Sequence, residues 1–303
     1  MLERIRIRNV GPADDMDMEL APRLNLVTGD NGLGKTLLLD CIWWALTQEW
    51  PDTGHGHGVV PVAVDASIEF HGNAGHAWVS PVYKYNHHLG DWLVSGFTPN
   101  RGNGESPPPI LPPIVLFQRV DGGISVYDPL AKPKKIDGIG PHLVWSGAGS
   151  PQIATPLSKS GRVLQFREHN IWNGLAHEIG GPNVCEGLVR DLGKWASQRD
   201  RVCFDHIAAI VEELAGREQY QLTDKVEPVF TDDGRDFPVV DGPAGCFPIV
   251  HAPAGFRRIL ELAYLFVWAW NEHQRHATVS KVPPANSIVL IVDEVESHLH
   301  PKW

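Results

Sequence analysis

The sequence Gly29-Asp30-Asn31-Gly32-Leu33-Gly34-Lys35-Thr36 fits the pattern G-x-x-x-x-G-K-T. An apolar, strand-like run at 24–27 precedes it, and an apolar, helix-like run follows from Leu37. The order is therefore strand, loop, helix. In such a unit the backbone N–H groups of the glycine-rich turn face a phosphate chain, which lies at the N-terminus of the helix. The lysine then reaches the β- and γ-phosphates, and the threonine hydroxyl binds Mg²⁺. We predict nucleotide contacts at Asn31, Gly32, Gly34, Lys35, Thr36 and Leu37, with Thr36 also on the metal.

A second motif lies near the other end of the sequence. Ser287–Val292 is an apolar, mostly β-branched run that ends in Asp293 and Glu294. A run without polar alternation is typical of a central parallel strand covered on both faces, and ligands bind at the carboxyl ends of such strands. Phosphoryl transfer needs mainly charge neutralisation and positioning. We therefore predict that Asp293 holds Mg²⁺ and that Glu294 orients or deprotonates the attacking water, with Glu294 and Lys35 as catalytic residues.

The composition is that of an ordinary globular chain. Of the 303 residues, 43% are hydrophobic and 20% charged, which allows one large domain or a core with an insertion. No apolar run approaches the length of a membrane span, and residues 1–8 alternate like a strand rather than a signal peptide. The four cysteines are scattered, which favours reduced thiols in a cytoplasmic protein.

The formal net charge is −10, which is not the footprint of a dedicated DNA-binding module. Two short basic clusters, at 132–135 and 199–201, are typical of solvated surface. The histidines lack the spacing and the cysteine neighbours expected of a zinc site.

The pattern along the chain predicts three parts. Residues 1–50 and 251–303 form an α/β nucleotide-binding core, residues 51–167 a β-rich lobe, and residues 168–250 a helical lobe. The predicted strands are 5–9, 24–27, 62–70, 77–85, 114–118 and 124–127. Asp121-Gly122-Gly123 between the last two predicts a hairpin turn. Apolar residues at helical spacing predict helices within 168–216 and over 257–271.

Three stretches together resemble the ABC-type ATPases of the AAA-15/AAA-21 kind, relatives of the structural-maintenance-of-chromosomes and overcoming-lysogenisation-defect ATPases. Residues 26–36 resemble their G-x-N-G-x-G-K-S/T loop, and residues 291–301 their D-E-x-E-x-x-L-H-P Walker B and D-loop segment. Residues 254–263 lie where the family has its signature motif. The resemblance covers both ends of the chain and only weakly its middle.

The resemblance implies a P-loop core that binds ATP and Mg²⁺ and dimerises around two nucleotides, with Gly255 in the signature facing the partner's nucleotide. It also implies an effector partner such as a nuclease or toxin, a role in anti-phage defence or DNA repair, and DNA as a further ligand. A membrane partner is not expected.

Two departures from the family stand out. Pro253 and Ala254 precede Gly255 where the family carries a serine, so Gly255 with Arg257 or Arg258 would have to compensate. The sequence also ends at Trp303, before the family's last strands and switch histidine, so we expect either that it is a fragment or that a partner chain completes the sheet.

Two other functions remain open. An ATP-sensing regulatory subunit without turnover fits the altered signature, and a DNA clamp is disfavoured by the acidic charge and the absence of a coiled-coil repeat. Gln118 and Gln165 are candidates for the glutamine that links nucleotide to the following lobe. Arg8 and Asn9 are candidates for base or ribose contacts; all four also fit ordinary strand-end polarity.

Overall fold

The structure is a computed structural model of the chain. It describes residues 2–12, 14–30, 32–51, 59–74, 77–79, 81–96, 113–131, 144–145, 151–152, 161–176, 182–199, 201–215, 220–229 and 234–294. Asn31 and residues 295–303, which include most of the predicted D-loop, lie outside the described residues.

The chain is mixed α/β. The strands are β1 Leu2–Arg8, β2 Asp15–Glu19, β3 Ser67–Ala74, β4 Ala77–Val79, β5 Val82–Asn86, β6 Asp91–Gly96, β7 Ile114–Gln118, β8 Ile124–Asp128, β9 Val144–Trp145, β10 Pro151–Gln152, β11 Arg162–Phe166, β12 Gln221–Pro228, β13 Asp236–Gly242, β14 Gly245–Pro248 and β15 Ile288–Val292. The helices are α1 Lys35–Thr47, α2 Glu168–Asn173, α3 Leu188–Ser197, α4 Val202–Ala215 and α5 Ala254–Ser280, with a 3-10 turn at Ile249–His251. No helix in the described ranges is long and apolar enough to cross a membrane.

The chain divides into two compact units. The first comprises Met1–Val115, Tyr127–Val163 and Pro284–Ile291, and the second comprises Leu116–Val126, Leu164–Pro283 and Val292–Trp303.

The first unit contains an antiparallel sheet with strand order β2-β1-β3-β5-β6, and β4 pairs with β3. Side chains alternate along β1, so Ile5 and Ile7 are buried, whereas Arg4, Arg6 and Arg8 lie on the opposite face of the strand. On that outer face Arg4 and Arg6 form ion pairs with Asp17 and Asp15 of β2. The exposed arginines are therefore neutralised by the neighbouring strand.

Helix α1 supplies aromatic side chains to the core of the first unit. Trp43 is fully buried, and Trp44 stacks on Trp50 with ring centroids 5.2 Å apart. Tyr83 of β5 meets Trp44 edge-on and donates a hydrogen bond to Gln48 at the helix end. These contacts fix the helix that begins at the glycine-rich loop.

A four-stranded sheet has the order β11-β8-β7-β15. All residues of β7 and β8 are buried, and the turn between them carries the predicted hairpin at 121–123: Asp121 accepts the Gly123 N–H at 2.9 Å. β15 lies at the end of this order and Leu290 is 43% exposed. The prediction of a central strand covered on both faces is therefore wrong for β15 within the described residues, because the two interior places are taken by β7 and β8.

The predicted strand at 24–27 is also wrong. Residues 24–30 run without regular secondary structure, and Leu24 and Leu26 are 80% and 75% exposed. An alternating pattern gives a strand only where another strand offers hydrogen bonds, and no ladder in the described part of the chain includes this segment. Further corrections are smaller: the predicted strand 62–70 begins at Ser67, and the predicted strand 77–85 divides into β4 and β5.

The second unit is built on the long helix α5. Its buried face includes Ile259, Leu260, Ala263, Tyr264 and Val267, which confirms the predicted helix and extends it at both ends. Helix α4 packs along α5, and an antiparallel sheet with order β12-β13-β14 packs on α3.

Candidate functional site

The glycine-rich loop has the backbone conformations that its sequence predicts. Gly29, Gly32 and Gly34 have φ angles of 153°, 86° and 88°, which favour glycine because a Cβ would crowd the backbone. Gly34 caps α1 in the left-handed region. A Cβ at Gly34 would also lie 2.9 Å from the Pro12 ring, so the loop between β1 and β2 lies directly against the helix start.

Lys35 folds back over the loop. Its Nζ donates hydrogen bonds to the carbonyl oxygens of Gly29 at 2.5 Å and Asp30 at 3.0 Å. Leu38 N–H donates to the Gly34 carbonyl and joins the first turn of α1 to its N-cap, so the N-terminus of α1 lies at the end of the loop. Positive charge and directed N–H groups thus meet at one helix end, which is a suitable anion site.

The acidic strand end belongs to the second unit. Asp293 follows β15 and is 5% exposed, and its backbone N–H donates to the Gln118 carbonyl at 2.9 Å. Glu294 is exposed and has φ 51°, an uncommon conformation for a residue with a side chain. The backbone contact fixes the start of the Asp293-Glu294 pair against the end of β7, which was not predicted.

Gly255 lies in the first turn of α5, after Pro253 at the helix N-cap. Arg257 N–H donates to the Pro253 carbonyl at 3.0 Å, so the Gly255 amide precedes the first intrahelical bond and is free of the helix ladder. Of the two arginines predicted to compensate for the missing serine, Arg258 is engaged inside its own unit. Its guanidinium contacts Glu261 at 2.9 Å, Glu168 at 3.6 Å and the Gly122 carbonyl at 3.5 Å.

A buried polar network surrounds that arginine. Glu261 is 1% exposed and accepts the Trp172 indole N–H at 2.5 Å in addition to Arg258. Burial raises the pKa of Glu261, and hydrogen bonds from Trp172 and the charge of Arg258 oppose that shift. The carboxylate is therefore held by two donors from different helices.

A second buried group lies further along α5. The Tyr264 hydroxyl donates to Asp191 at 2.7 Å and lies 2.9 Å from the Cys185 sulfur. Burial raises the pKa of Asp191, and it raises the pKa of the Cys185 thiol to about 11. A thiol with a raised pKa is a poor nucleophile, so we interpret this group as structural.

The other predicted residues have ordinary surroundings. Gln118 is 4% exposed at the end of β7, and Gln165 accepts a hydrogen bond from Ser125 at 2.5 Å. Arg8 forms an ion pair with Asp15 at 3.6 Å, and Asn9 has φ 57° in the turn that follows β1. None of the four cysteines, all of which lie in the described ranges, forms a disulfide.

Comparison with known proteins identifies part of the chain. Residues 4–88 match the AAA_23 family model, described as an AAA domain. This segment is similar to that family. The match confirms the resemblance to SMC/RecF-like ABC-type ATPases that the motifs indicated. The AAA_23 match contains the glycine-rich loop and α1, whereas Gly255, Asp293 and Glu294 lie outside it.

Among solved structures, the chain is similar to the SMC head domain from Thermotoga maritima, with 11% sequence identity and a TM-score of 0.39. The match covers 98% of this chain and 90% of that one. None of the curated proteins matches the chain.

Sequence reasoning missed Arg119 beside the acidic strand end, and it predicted the turn at Gly122 but not its contact with Arg258. Arg119 and Gly122 belong to the turn that follows Gln118, and Arg258 reaches this turn from 136 positions away. The one signal in the sequence that could have indicated Arg119 is its position directly after Gln118, a candidate nucleotide-linking residue. Nothing in the sequence near Gly122 indicates its contact with Arg258.

Proposed function

We propose that the chain binds Mg-ATP and hydrolyses it as an ABC-type ATPase that works as a dimer. The observation that carries the proposal is the glycine-rich loop within the AAA_23 match, with Lys35 folded over its carbonyls and the N-terminus of α1 beside it. On phosphate binding, Lys35 exchanges carbonyl partners for phosphate oxygens, which are stronger acceptors because the bond is charge-assisted.

The proposed division of labour follows the motifs. Asn31, Gly32, Gly34 and Leu37 contribute to the phosphate cradle. Thr36 and Asp293 would hold Mg²⁺, which would neutralise phosphate charge when bound. Glu294 orients or deprotonates the attacking water. These acidic residues follow an apolar strand, where the hydrogen bond from Asp293 N–H to Gln118 fixes the backbone.

The dimer is proposed because the family pairs each loop with the partner's signature, which places Gly255 opposite a second nucleotide. The free amide of Gly255 in the first turn of α5 supports that role. An effector such as a nuclease or toxin, and a place in anti-phage defence or DNA repair, follow from the resemblance alone.

A second candidate function is an ATP-sensing subunit that binds nucleotide without turnover. The specific observation in its favour is the signature region, where Pro253 and Ala254 replace the hydroxyl-bearing residue and Arg258 is committed to Glu261 and Glu168. A DNA clamp is less well supported because Arg4 and Arg6 of the exposed β1 face are paired with aspartates.

Mg-ATP turnover and light scattering, measured on the same samples, test the proposal. Three variants are compared with the unmodified chain: Lys35→Ala, Glu294→Gln and, as a matched control, the exposed Lys225→Ala. We expect Lys35→Ala to lose nucleotide binding, Glu294→Gln to bind without turnover and to accumulate as a dimer, and Lys225→Ala to behave normally.

The two candidate functions give different results. Binding and dimerisation without turnover in the unmodified chain would favour the sensing subunit. Nucleotide binding that persists in Lys35→Ala would refute both.

A further inference from the structure

Arg119 carries unsatisfied hydrogen-bond donors next to the acidic strand end. Its Nε and Nη1 atoms are buried, and neither has a hydrogen-bond partner among the described residues. Arg201 and Arg257 each contribute one such atom, whereas Arg119 contributes two. A guanidinium stays charged at any ordinary pH, so these donors cannot be removed by deprotonation.

The backbone of Arg119 is fixed. Its N–H donates to the Gly123 carbonyl at 2.9 Å, and its carbonyl accepts the Gly122 N–H at 3.0 Å. The preceding residue, Gln118, accepts the N–H of Asp293 at 2.9 Å. Arg119 therefore starts one residue from the direct contact between β7 and the Asp293-Glu294 pair.

The same turn contains a contrasting arginine contact. Arg258 reaches Gly122 but also has Glu261 and Glu168 as partners. A buried arginine donor without an acceptor costs free energy, and such groups in folded proteins call for an explanation. The contrast indicates that Arg258 holds the turn, whereas two donors of Arg119 have no acceptor among the described residues.

We propose that Arg119 binds a phosphoryl oxygen of the Mg-nucleotide beside Asp293. This inference rests on the proposed function, which supplies the metal and the nucleotide. A planar guanidinium matches phosphate oxygens through paired N–H donors.

The test uses Arg119→Met, which keeps the length of the side chain and removes its donors, and Arg119→Lys, which keeps only a point charge. Arg275→Met is the control, since Arg275 is exposed on α5 and pairs with Glu272. Melting temperature is measured without ligand, and affinity is measured for Mg-ATP, Mg-ADP and inorganic phosphate at constant ionic strength.

We expect Arg119→Met to melt at the same temperature as the unmodified chain or higher, because no partner is lost. Its affinity for Mg-ATP should fall about 10- to 100-fold, as expected for a hydrogen bond to a charged group. Arg119→Lys should recover part of the loss, and Arg275→Met should show none. A loss for Mg-ATP alone assigns the terminal phosphate, and an equal loss for Mg-ADP assigns a phosphate common to both.

A lower melting temperature with unchanged nucleotide affinity would overturn the inference and make Arg119 a structural cation. If the unmodified chain binds no nucleotide, the proposed function fails, and the inorganic phosphate measurement decides on Arg119 separately. Stabilisation by phosphate that is lost in Arg119→Met would still support an anion site, and its absence would overturn it.

Discussion

Gly122→Ala should destabilise the chain by more than its own backbone conformation explains. Gly122 has φ 81°, and a Cβ there would lie 2.3 to 2.5 Å from the guanidinium atoms of Arg258. The methyl group does not meet backbone, so the turn can keep its shape if Arg258 moves. Moving Arg258 removes one of the two donors to Glu261, which is 1% exposed.

The magnitude has two parts. A side chain in the left-handed region costs about 1–2 kcal/mol. Loss of a hydrogen bond to a buried charged group adds about 1–3 kcal/mol, because Glu261 keeps Trp172 as a donor and is not left entirely unpaired. The sum predicts a loss of about 2–5 kcal/mol in the free energy of unfolding.

Urea unfolding with Gly245→Ala as the control separates the two parts. Gly245 has φ 98° and nothing within 4 Å of its Cβ position, so it should show the backbone cost alone, about 1–2 kcal/mol. Gly122→Ala in an Arg258→Ala background should fall to the same value, since the contact is already gone. Equal losses for the two glycines in the unmodified background, or an unchanged Gly122→Ala loss without Arg258, would refute the reasoning.

Two further predictions concern the second unit. Gly187→Ala should lower the free energy of unfolding in urea by about 2–5 kcal/mol. Gly187 has φ 92°, and a Cβ there would lie 2.4 Å from the backbone nitrogen of Gly174. Because the clash is with backbone, no side-chain truncation should rescue it, and a loss no larger than that of Gly245→Ala would contradict the prediction. Asp191→Asn should flatten the dependence of stability on pH: burial raises the pKa of Asp191 above its ordinary 3.8, so its contribution is complete below that value and is lost as pH rises through the folded pKa. Unfolding measured from pH 3.5 to 7 should show the asparagine variant gaining on the unmodified chain as pH rises, and parallel profiles would count against it.

Short-range patterns predicted the elements that depend on neighbours in sequence. Helix α1, helix α5 and the turn at 121–123 appear where glycine placement and apolar spacing indicated them. The glycine-rich loop has its left-handed residues for the same reason, since each constraint acts within a few residues. The sequence therefore predicted the place of the glycine-rich turn, and Gly29, Gly32 and Gly34 have the positive φ angles that suit glycine there.

Strand positions within sheets were less predictable. The run before the glycine-rich loop and the run of β15 both look like buried strands, yet the first forms no ladder in the described ranges and the second ends a sheet order. Apolar residues in sequence report a preference for burial but not which remote strand provides it. In the four-stranded sheet the two interior positions are occupied by β7 and β8. These strands are close in sequence, so they can pair with each other without a contact to a distant strand.

The arginines of the second unit show why a candidate site cannot be completed from sequence. Arg257 and Arg258 are adjacent and were equivalent candidates for a phosphate contact, but Arg258 has two carboxylate partners and a carbonyl. Arg119 was passed over, although its buried Nε and Nη1 lack a partner in the part of the chain that the structure describes. Whether a cation is available to a ligand depends on the acceptors around it, and for Arg258 these come from its own helix, from α2 and from a turn 136 positions away. The free energy spent in burying unpaired donors is therefore a better indicator of a ligand contact than the presence of an arginine beside a motif.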